Sequence, residues 1–358
     1  MCTGITLIAQ DGSAVYGRTM EWGSFDLVSR LAIVPPGTPF QGSIPDPERT
    51  GMSWTTKLGF VGLDVLQKDN VFVDGMNQAG LACGLFYHPG YAVYEDYNPQ
   101  NAATSLCATD LVQYILGQCS SLAQVRTALK KVHVVPVPEP ALGDPPPPAP
   151  VHFMVVEPSG AALVVEFLDH KMHLIDAPLR VLTNAPEYAW HMTNLRNYVN
   201  LSPVALPTGE LGGLNFSPLG SGSGMIGLPG DFTPPSRMVR AVAFTQTARP
   251  TKDAEETLYE HFRIMDNFNV PLPPGEGYRG SGDRTSPPKM PQALPRSDTQ
   301  WTTAADTRGR VYYYHTQDNR RVRKVSINDI DFSKLNGIQR FPLDTPKAQD
   351  IEDLTPRK

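Results

Sequence analysis

The second residue of the chain carries the functional groups of a nucleophile. Removal of Met1 would leave Cys2 with a thiol and a free α-amine on one residue. An α-amine titrates near pH ~7.7–8.0 and can act as a base, while a thiol attacks as its thiolate, which a nearby cation favours. Cysteine is also small enough for methionine aminopeptidase to remove the residue before it. We therefore expect Met1 to be removed and Cys2 to act as a nucleophile, although a cysteine at position 2 can also be a coincidence.

The residues after Cys2 predict a β-hairpin whose loop decides which side chains lie beside the thiol. Asp11-Gly12 stands between two apolar runs and is the strongest two-residue hairpin signal. With this loop Cys2 lies opposite Glu21, whose carboxylate suits an α-ammonium, and Arg18 lies on the other face. A three-residue loop brings Arg18 to the face of Cys2 but moves Glu21 away. Both side chains serve Cys2 only if a bulge interrupts the hairpin, so the alternatives stay open.

Composition excludes several classes of protein. The chain has 358 residues, of which 41% are hydrophobic and 19% charged, as in a globular protein with a substantial core. A net charge of −5 without a basic run predicts no nucleic-acid partner. The sequence shows no transmembrane stretch and no signal peptide, so no membrane association is expected. We expect a cytoplasmic protein if Met1 is native, and a periplasmic one if the chain is a trimmed mature form.

Cysteine and histidine spacing predicts neither a metal site nor a cofactor. The four cysteines are Cys2, Cys83, Cys107 and Cys119; they form no CxxC pair, and the eight histidines are scattered without zinc-site spacing. Cys83 and Cys119 are expected to pack as small hydrophobic residues.

Strand and helix patterns alternate in blocks along the chain. Strand patterns dominate the first hundred residues and return at 151–183, helical patterns cover much of 188–268, and a strand meander follows at 300–327. Such blocks predict an α+β fold with two mostly antiparallel sheets covered by helices. The proline-rich stretches 136–150 and 271–295 are expected to be surface loops.

Several short segments, taken together and in order, resemble the choloylglycine hydrolase family, which comprises bile salt hydrolases and penicillin V acylases. The resemblance implies an N-terminal nucleophile hydrolase with an αββα four-layer sandwich, in a single domain over residues 2–358, that hydrolyses a small-molecule linear amide. The segments are Met1-Cys2-Thr3-Gly4, Gly17-Arg18-Thr19-Met20-Glu21-Trp22, Asp74-Gly75-Met76-Asn77, Leu182-Thr183-Asn184-Ala185-Pro186, Asn194-Leu195-Arg196-Asn197-Tyr198, and Leu228 to Thr233 with Ser236-Arg237.

This resemblance assigns a catalytic role to five residues. Cys2 is the nucleophile, and Arg18 is a permanent cation beside its sulfur that favours the thiolate. Glu21 stands where the family usually has an aspartate that binds the α-ammonium, so its carboxylate has a longer reach. Asn184 donates from its side-chain amide to the oxyanion, and Arg237 stabilises developing charge.

The resemblance also implies a backbone oxyanion donor at Phe86 or Tyr87. Met20, Trp22, Phe86 and Tyr87 are expected to form an apolar, aromatic substrate-binding wall, for which plain core packing is the alternative. The Arg-Thr-Met-Glu-Trp segment and the apolar Phe86 look more like the Gram-negative penicillin V acylase branch. Penicillin V or N-acyl homoserine lactones are therefore the expected substrates. The alternatives are a conjugated bile salt hydrolase and a degenerate relative that only binds a ligand.

Assembly is implied by the resemblance alone. Residues 201–224 form a long stretch rich in Gly, Pro and Leu between two predicted helices. It looks like the family's excursion that clasps a neighbouring subunit, so a homotetramer is expected.

Overall fold

The computed structural model describes residues 1–23, 25–271 and 298–355, and within them two antiparallel sheets account for most of the strands. The loop expected at 271–295 lies outside the described residues apart from Pro271. The strands, in chain order, are β1 (Cys2–Ile8), β2 (Ala14–Trp22), β3 (Arg30–Val34), β4 (Pro39–Gln41), β5 (Ser53–Thr55), β6 (Phe60–Asp64), β7 (Phe72–Asn77), β8 (Ala82–Tyr87), β9 (Ser105–Leu106), β10 (His133–Val134), β11 (Val151–Val156), β12 (Ala162–Leu168), β13 (Lys171–Asp176), β14 (Val181–Leu182), β15 (Gly209–Leu211), β16 (Leu214–Phe216), β17 (Asp298–Asp306), β18 (Val311–Thr316), β19 (Arg323–Ser326) and β20 (Gln339–Pro342).

The α-helices of the described residues are short, and three of the five lie in the block 188–268 that was predicted to be largely helical. The first of these three tightens into a 3₁₀ turn at Leu195–Tyr198. The helices are α1 (Leu111–Gln118), α2 (Leu122–Leu129), α3 (Tyr188–Asn194), α4 (Pro234–Thr247) and α5 (Ala254–Met265), and the other 3₁₀ turns are Pro99–Thr104, Ala108–Asp110, Pro140–Leu142, Ser221–Met225, Asp266–Phe268, Ile327–Asp329 and Phe332–Lys334. No helix in this part of the chain combines the length and apolar character that crossing a membrane requires.

The two large sheets pack against each other and carry helices on their outer faces. The six-stranded sheet has the order β14-β1-β2-β17-β18-β19, and the eight-stranded sheet has the order β13-β12-β11-β8-β7-β6-β3-β20. Helices α4 and α5 cover the first sheet at β1 and β2, α1 covers the second at β7 and β8, and β1 contacts β8 across the interior. This is the four-layer αββα arrangement that the sequence predicted.

The β1–β2 hairpin has the three-residue loop, so the two-residue alternative is wrong. Cys2 pairs with Met20 and Gly4 with Arg18, in one register along the whole hairpin. Gly12 adopts a φ of +80°, a left-handed conformation that glycine takes at no steric cost and that closes the longer loop. Arg18 therefore lies on the face of Cys2 without a bulge in this hairpin.

The irregularity lies instead in the next strand, where the register of β17 against β2 shifts between Thr299 and Trp301. Within β2 the side chains alternate between the two faces, so Glu21, three positions after Arg18, lies on the opposite face, toward the helical layer. Its backbone pairs with the residue before Cys2: the Glu21 N–H donates to the Met1 carbonyl at 2.8 Å.

The proline-rich loop 136–150 is attached to the body of the protein at its middle. Pro138 and Pro148 form an isolated β-bridge, and both carboxylate oxygens of Glu139 accept hydrogen bonds from Lys68 Nζ at 2.7 Å. The expected surface connector is thus half-exposed and anchored.

Candidate active site

The sulfur of Cys2 lies in the interior between the two sheets, beside a guanidinium group. Arg18 Nη2 donates to Cys2 Sγ at 2.8 Å, and the side chain of Met20 contacts the same sulfur with its Sδ at 3.9 Å. Cys2 is 2% exposed and Arg18 is fully buried. A permanent cation at this distance in a site shielded from water stabilises the thiolate over the thiol.

Arg18 is held in place by backbone carbonyls and one aromatic ring of the facing sheet, and by a second ring, that of Trp301, from the neighbouring strand β17 of its own sheet. Its Nη1 donates to the carbonyl of Val73 at 3.0 Å and to that of Leu85. The guanidinium carbon lies 4.4 Å from the centre of the Phe86 ring and 5.3 Å from that of Trp301. These contacts leave one edge of the guanidinium directed at the sulfur.

A buried carboxyl group, which the sequence did not single out as functional, lies behind Arg18. Asp74 on β7 accepts hydrogen bonds from Tyr16 at 3.3 Å, Thr303 at 2.9 Å and Tyr312 at 2.5 Å. Burial raises the pKa of Asp74 to about 6, and the nearby Arg18 opposes that rise. The three hydroxyl donors satisfy the carboxyl group between the sheets.

The backbone of Cys2 is bound from the other side by Asn184 and Arg237. Cys2 N donates to Asn184 Oδ1 at 2.7 Å, and Arg237 Nη2 donates to the same oxygen at 2.6 Å. Arg237 Nη1 donates to the Cys2 carbonyl and, at 2.8 Å, to Thr3 Oγ1. An amide nitrogen could not accept from these two donors, so the atom that faces Cys2 N and Arg237 is the amide oxygen of Asn184. The amide nitrogen therefore donates to Tyr87 O at 2.6 Å.

Glu21 is buried close to the chain start. Its Oε1 accepts a hydrogen bond from Thr299 at 3.1 Å, and its backbone carbonyl accepts one from the Met1 ammonium at 2.5 Å. Burial raises the pKa of the Glu21 carboxyl, whereas Arg237 and the terminal ammonium oppose the rise. Burial also lowers the pKa of the Met1 ammonium. The charge of the Glu21 carboxylate opposes that lowering.

Strand pairing distinguishes the two expected backbone donors. His88 N donates to Pro150 O at 2.7 Å, so the alternation of an antiparallel ladder pairs Phe86 with His152 through hydrogen bonds. Tyr87 then directs its N–H and C=O away from β11, toward the side chain of Asn184. Tyr87, and not Phe86, has the backbone orientation that an oxyanion donor requires.

The expected aromatic wall is divided between a buried and an accessible part. Phe86 is fully buried, and its ring packs against Gly4 and Arg18, so Phe86 supports the site and does not line an open surface. Met20 is 4% exposed beside the sulfur. The accessible part consists of Trp22 and Tyr87, whose rings meet edge to face at 5.2 Å, with Phe25 at 5.9 Å from Trp22.

A second buried polar group, which sequence spacing missed, adjoins the Asn184 segment. His88, His152 and Glu166 place one potential ligand atom each within 4.8 Å of one another. His88 directly follows β8, whereas His152 and Glu166 lie opposite each other on β11 and β12, so no short sequence motif contains the three residues. The signal was Glu166, a charged residue inside the apolar run of β12.

Comparison with known proteins extends the resemblance to the whole chain. Residues 2–345 match the family model described as linear amide C-N hydrolases, choloylglycine hydrolase family. The chain belongs to this family. As a member of the choloylglycine hydrolase family it is a linear amide C–N hydrolase, and it has the fold of N-terminal nucleophile hydrolases.

Curated relatives of this family member cover nearly the full chain. It is 31% identical over 331 residues to a bile salt hydrolase/transferase of Clostridium perfringens, which spans 92% of this chain and 93% of the relative. It is 27% identical over 350 residues to a bile salt hydrolase/transferase of Bifidobacterium longum, with 95% and 100% covered.

Solved structures agree on the fold. A mutant conjugated bile acid hydrolase from Clostridium perfringens matches with a TM-score of 0.80 at 27% identity, covering 99% of this choloylglycine hydrolase family member and 100% of that chain. A penicillin V acylase from Agrobacterium tumefaciens matches with a TM-score of 0.73 at 21% identity, covering 97% and 95%. The second likeness is one of fold alone.

Proposed function

We propose that this hydrolase cleaves its amide substrate with Cys2 as an N-terminal nucleophile, after the residue before Cys2 has been removed. The observation that carries the proposal is the 2.8 Å contact between Arg18 Nη2 and Cys2 Sγ. The cation favours the thiolate, which attacks the substrate carbonyl and forms a thioester with the acyl part. The freed α-amine takes the proton of the thiol and delivers it to the leaving amine as the C–N bond breaks. Water then attacks the thioester carbonyl, the C–S bond breaks, the acyl group leaves as a carboxylic acid, and the second proton of water returns to the Cys2 sulfur.

Four groups around Cys2 support this reaction. Asn184 Oδ1 accepts from the present amide nitrogen of Cys2, which the α-amine replaces, and orients that amine. The buried Glu21 carboxyl group, a rise in whose pKa the terminal ammonium opposes, supplies a nearby negative charge for the same amine. Arg237 holds Cys2 through its carbonyl and fixes the Asn184 amide through Oδ1. Oxyanion stabilisation falls to the Tyr87 N–H and the Asn184 side-chain amide, which lie on the same side of β8. Retention of this whole set counts against a degenerate relative that only binds a ligand.

For the substrate we propose conjugated bile salts. The relatives that cover most of the chain are named bile salt hydrolases, whereas the penicillin V acylase likeness concerns the fold. These comparisons favour the bile salt alternative over the penicillin V and acyl homoserine lactone assignment made from the sequence. The accessible rings of Trp22, Phe25 and Tyr87 fit a flat steroid face by area burial.

Side-by-side rates on three substrates test this assignment. We expect a higher kcat/KM for glycocholate than for penicillin V or a long-chain N-acyl homoserine lactone, each measured by release of its amine, with the Cys2→Ser protein as the blank. Trp22→Ala should reduce kcat/KM for glycocholate by roughly tenfold, because burial of a large apolar side chain is worth ~1.5–3 kcal/mol. Faster cleavage of penicillin V would favour the second candidate, penicillin V acylase, whose aryl acyl group the same rings could accommodate.

We also propose that the protein assembles as a homotetramer through the segment 201–224. This segment contains the β15–β16 hairpin, whose apolar side chains are exposed: Leu211 by 71%, Leu214 by 65% and Phe216 by 53%. Exposed apolar residues concentrated on one hairpin are typical of a surface that another chain covers.

Light scattering after size exclusion tests the assembly. We expect a tetramer mass at micromolar concentration for the wild type and for Val322→Ser, a control at an apolar residue that is 43% exposed elsewhere. The double variant Leu211→Ser, Leu214→Ser should give smaller species with unchanged far-UV circular dichroism. A wild-type protein that elutes as a stable monomer would contradict the proposal.

A further inference from the structure

Two buried histidines hold the peptide segment that carries Asn184. His152 Nε2 contacts the carbonyl oxygen of Thr183 at 3.2 Å, and His191 Nε2 contacts that of Asn184 at 2.9 Å. Both histidines are fully buried. A carbonyl oxygen only accepts hydrogen bonds, so in each case the histidine nitrogen carries the proton.

The other nitrogen of His152 meets a carboxyl group. His152 Nδ1 lies 3.2 Å from Glu166 Oε1, and both residues are fully buried. If His152 carries its single proton on Nε2, its Nδ1 has a lone pair, and an ionised carboxylate oxygen at this distance would repel that lone pair. The contact therefore needs a second proton between the two groups. Burial raises the pKa of Glu166 and lowers that of His152 to about 3, which favours a carboxylic acid that donates to a neutral imidazole.

Glu166 also binds the start of α3. The backbone N–H of Tyr188 donates to Glu166 Oε1 at 2.9 Å and to Oε2 at 3.2 Å. Tyr188 begins the helix that carries His191 one turn later. One carboxyl group thus reaches the Asn184 segment by two routes, through His152 and through the helix that bears His191.

A metal ion does not fit the same group of residues as they stand. The rings of His88 and His152 are stacked, with centroids 4.1 Å apart and an angle of 2° between their planes. A ring nitrogen binds a metal with a lone pair that lies in its ring plane, and two parallel planes at this separation do not meet at one ion. The stacking instead covers one face of His152 and fixes the ring.

We propose that Glu166 is a positioning residue: through His152 and α3 it holds the backbone on either side of the Asn184 Cα, and so directs the Asn184 amide at Cys2 and Tyr87. Two hydrogen bonds depend on this position: Cys2 N donates to Asn184 Oδ1, and Asn184 Nδ2 donates to Tyr87 O. The inference rests on the proposed role of Asn184 in catalysis, and it adds a residue of the facing sheet to that machinery.

Three variants at two positions test it through the rate of amine release from glycocholate. Glu166→Leu removes both contacts and should lower kcat by roughly 10–100-fold with little change in KM, because small displacements of a catalytic group are costly. Glu166→Gln can place its amide nitrogen toward His152 and its oxygen, in the place of Oε2, toward Tyr188 N, so it should keep kcat within about twofold of wild type. His152→Phe keeps a ring against His88 but loses the donor to Thr183, and should behave like Glu166→Leu.

A double-mutant cycle separates positioning from general destabilisation. In the Asn184→Ala background Glu166→Leu should change kcat by no more than about twofold, since residues that act through a common partner are not additive. Asp110→Leu is the matched control: Asp110 is also a buried carboxyl group, it binds Ser43 and Cys107 away from the site, and its loss should lower the melting temperature with kcat unchanged.

Several outcomes would overturn the inference. The first is a wild-type kcat in folded Glu166→Leu or, if that variant does not fold, in His152→Phe. The second is an equal loss of kcat in Glu166→Gln and Glu166→Leu, and the third is a loss of kcat from Glu166→Leu that is additive with that of Asn184→Ala. The fourth is one equivalent of metal per chain of wild-type protein by plasma mass spectrometry. Wild-type activity of Asn184→Ala would instead refute the proposed role of Asn184. Failure of the inference alone would leave Asn184→Ala impaired and Glu166→Leu active.

Discussion

Cys2→Ser is expected to lose nearly all amidase activity while it keeps the fold. A serine hydroxyl lacks thiolate chemistry at neutral pH, so the cation that Arg18 places 2.8 Å from the sulfur has no anion to stabilise. The substitution is close to isosteric, and Cys2 makes few side-chain contacts beyond Arg18 and Met20. The loss should therefore appear in kcat, with an unchanged melting temperature.

The other cysteines provide matched controls. Cys83, Cys107 and Cys119 are also buried and unpaired, and the structure gives none of them a contact with the Cys2 sulfur. Cys83→Ser, Cys107→Ser and Cys119→Ser should each retain most of the activity. Wild-type turnover by the Cys2→Ser protein would contradict the assignment of the nucleophile.

The second large effect is expected for Asn184→Ala, with a fall in kcat of roughly 10²–10³, the usual cost of losing one oxyanion donor. The variant also deprives Cys2 N and Arg237 Nη2 of their shared acceptor, so the α-amine loses part of its orientation. Steady-state kinetics on glycocholate measure the effect, and the exposed Asn197→Ala is the control. A loss confined to KM would mean that Asn184 binds the substrate and takes no part in charge stabilisation.

The sequence predicted the architecture of this protein well because its patterns are local. Alternating apolar runs indicated the strands, and the start of α5 showed in its acidic residues, with Asp253 accepting from Glu256 N as its cap. The four-layer arrangement then followed from the order of the blocks and the family resemblance.

The geometry around Cys2 was harder to predict because it depends on one residue of loop length. Asp11-Gly12 is a strong two-residue signal, yet the chain uses three loop residues, which Gly12 permits with its positive φ. That single residue decides whether Arg18 or Glu21 shares the face of Cys2. The orientation of the Phe86 and Tyr87 backbone groups was also difficult to predict. It depends on the register of β8 against β11, which decides which of the two N–H groups is directed away from β11.

The contacts of two buried carboxyl groups were not predicted from the sequence. Asp74 meets its hydroxyl donors across the interior of the sandwich, and Glu166 meets His152 on the neighbouring strand of the β11–β12 hairpin. Neither contact belongs to a motif with a characteristic spacing. A charged residue within an apolar strand is the available signal, and in both cases it indicates a buried polar contact near the site.

The mass of the N-terminal peptide from fully active enzyme shows whether Cys2 is the N-terminal nucleophile. We expect a peptide that begins at Cys2, because only a free α-amine can exchange protons with the thiol and the leaving group. A variant with glutamate inserted between Met1 and Cys2, which methionine aminopeptidase leaves intact, should be folded and inactive. Full activity in protein that still carries Met1 or the inserted residue would contradict the assignment of Cys2 as an N-terminal nucleophile.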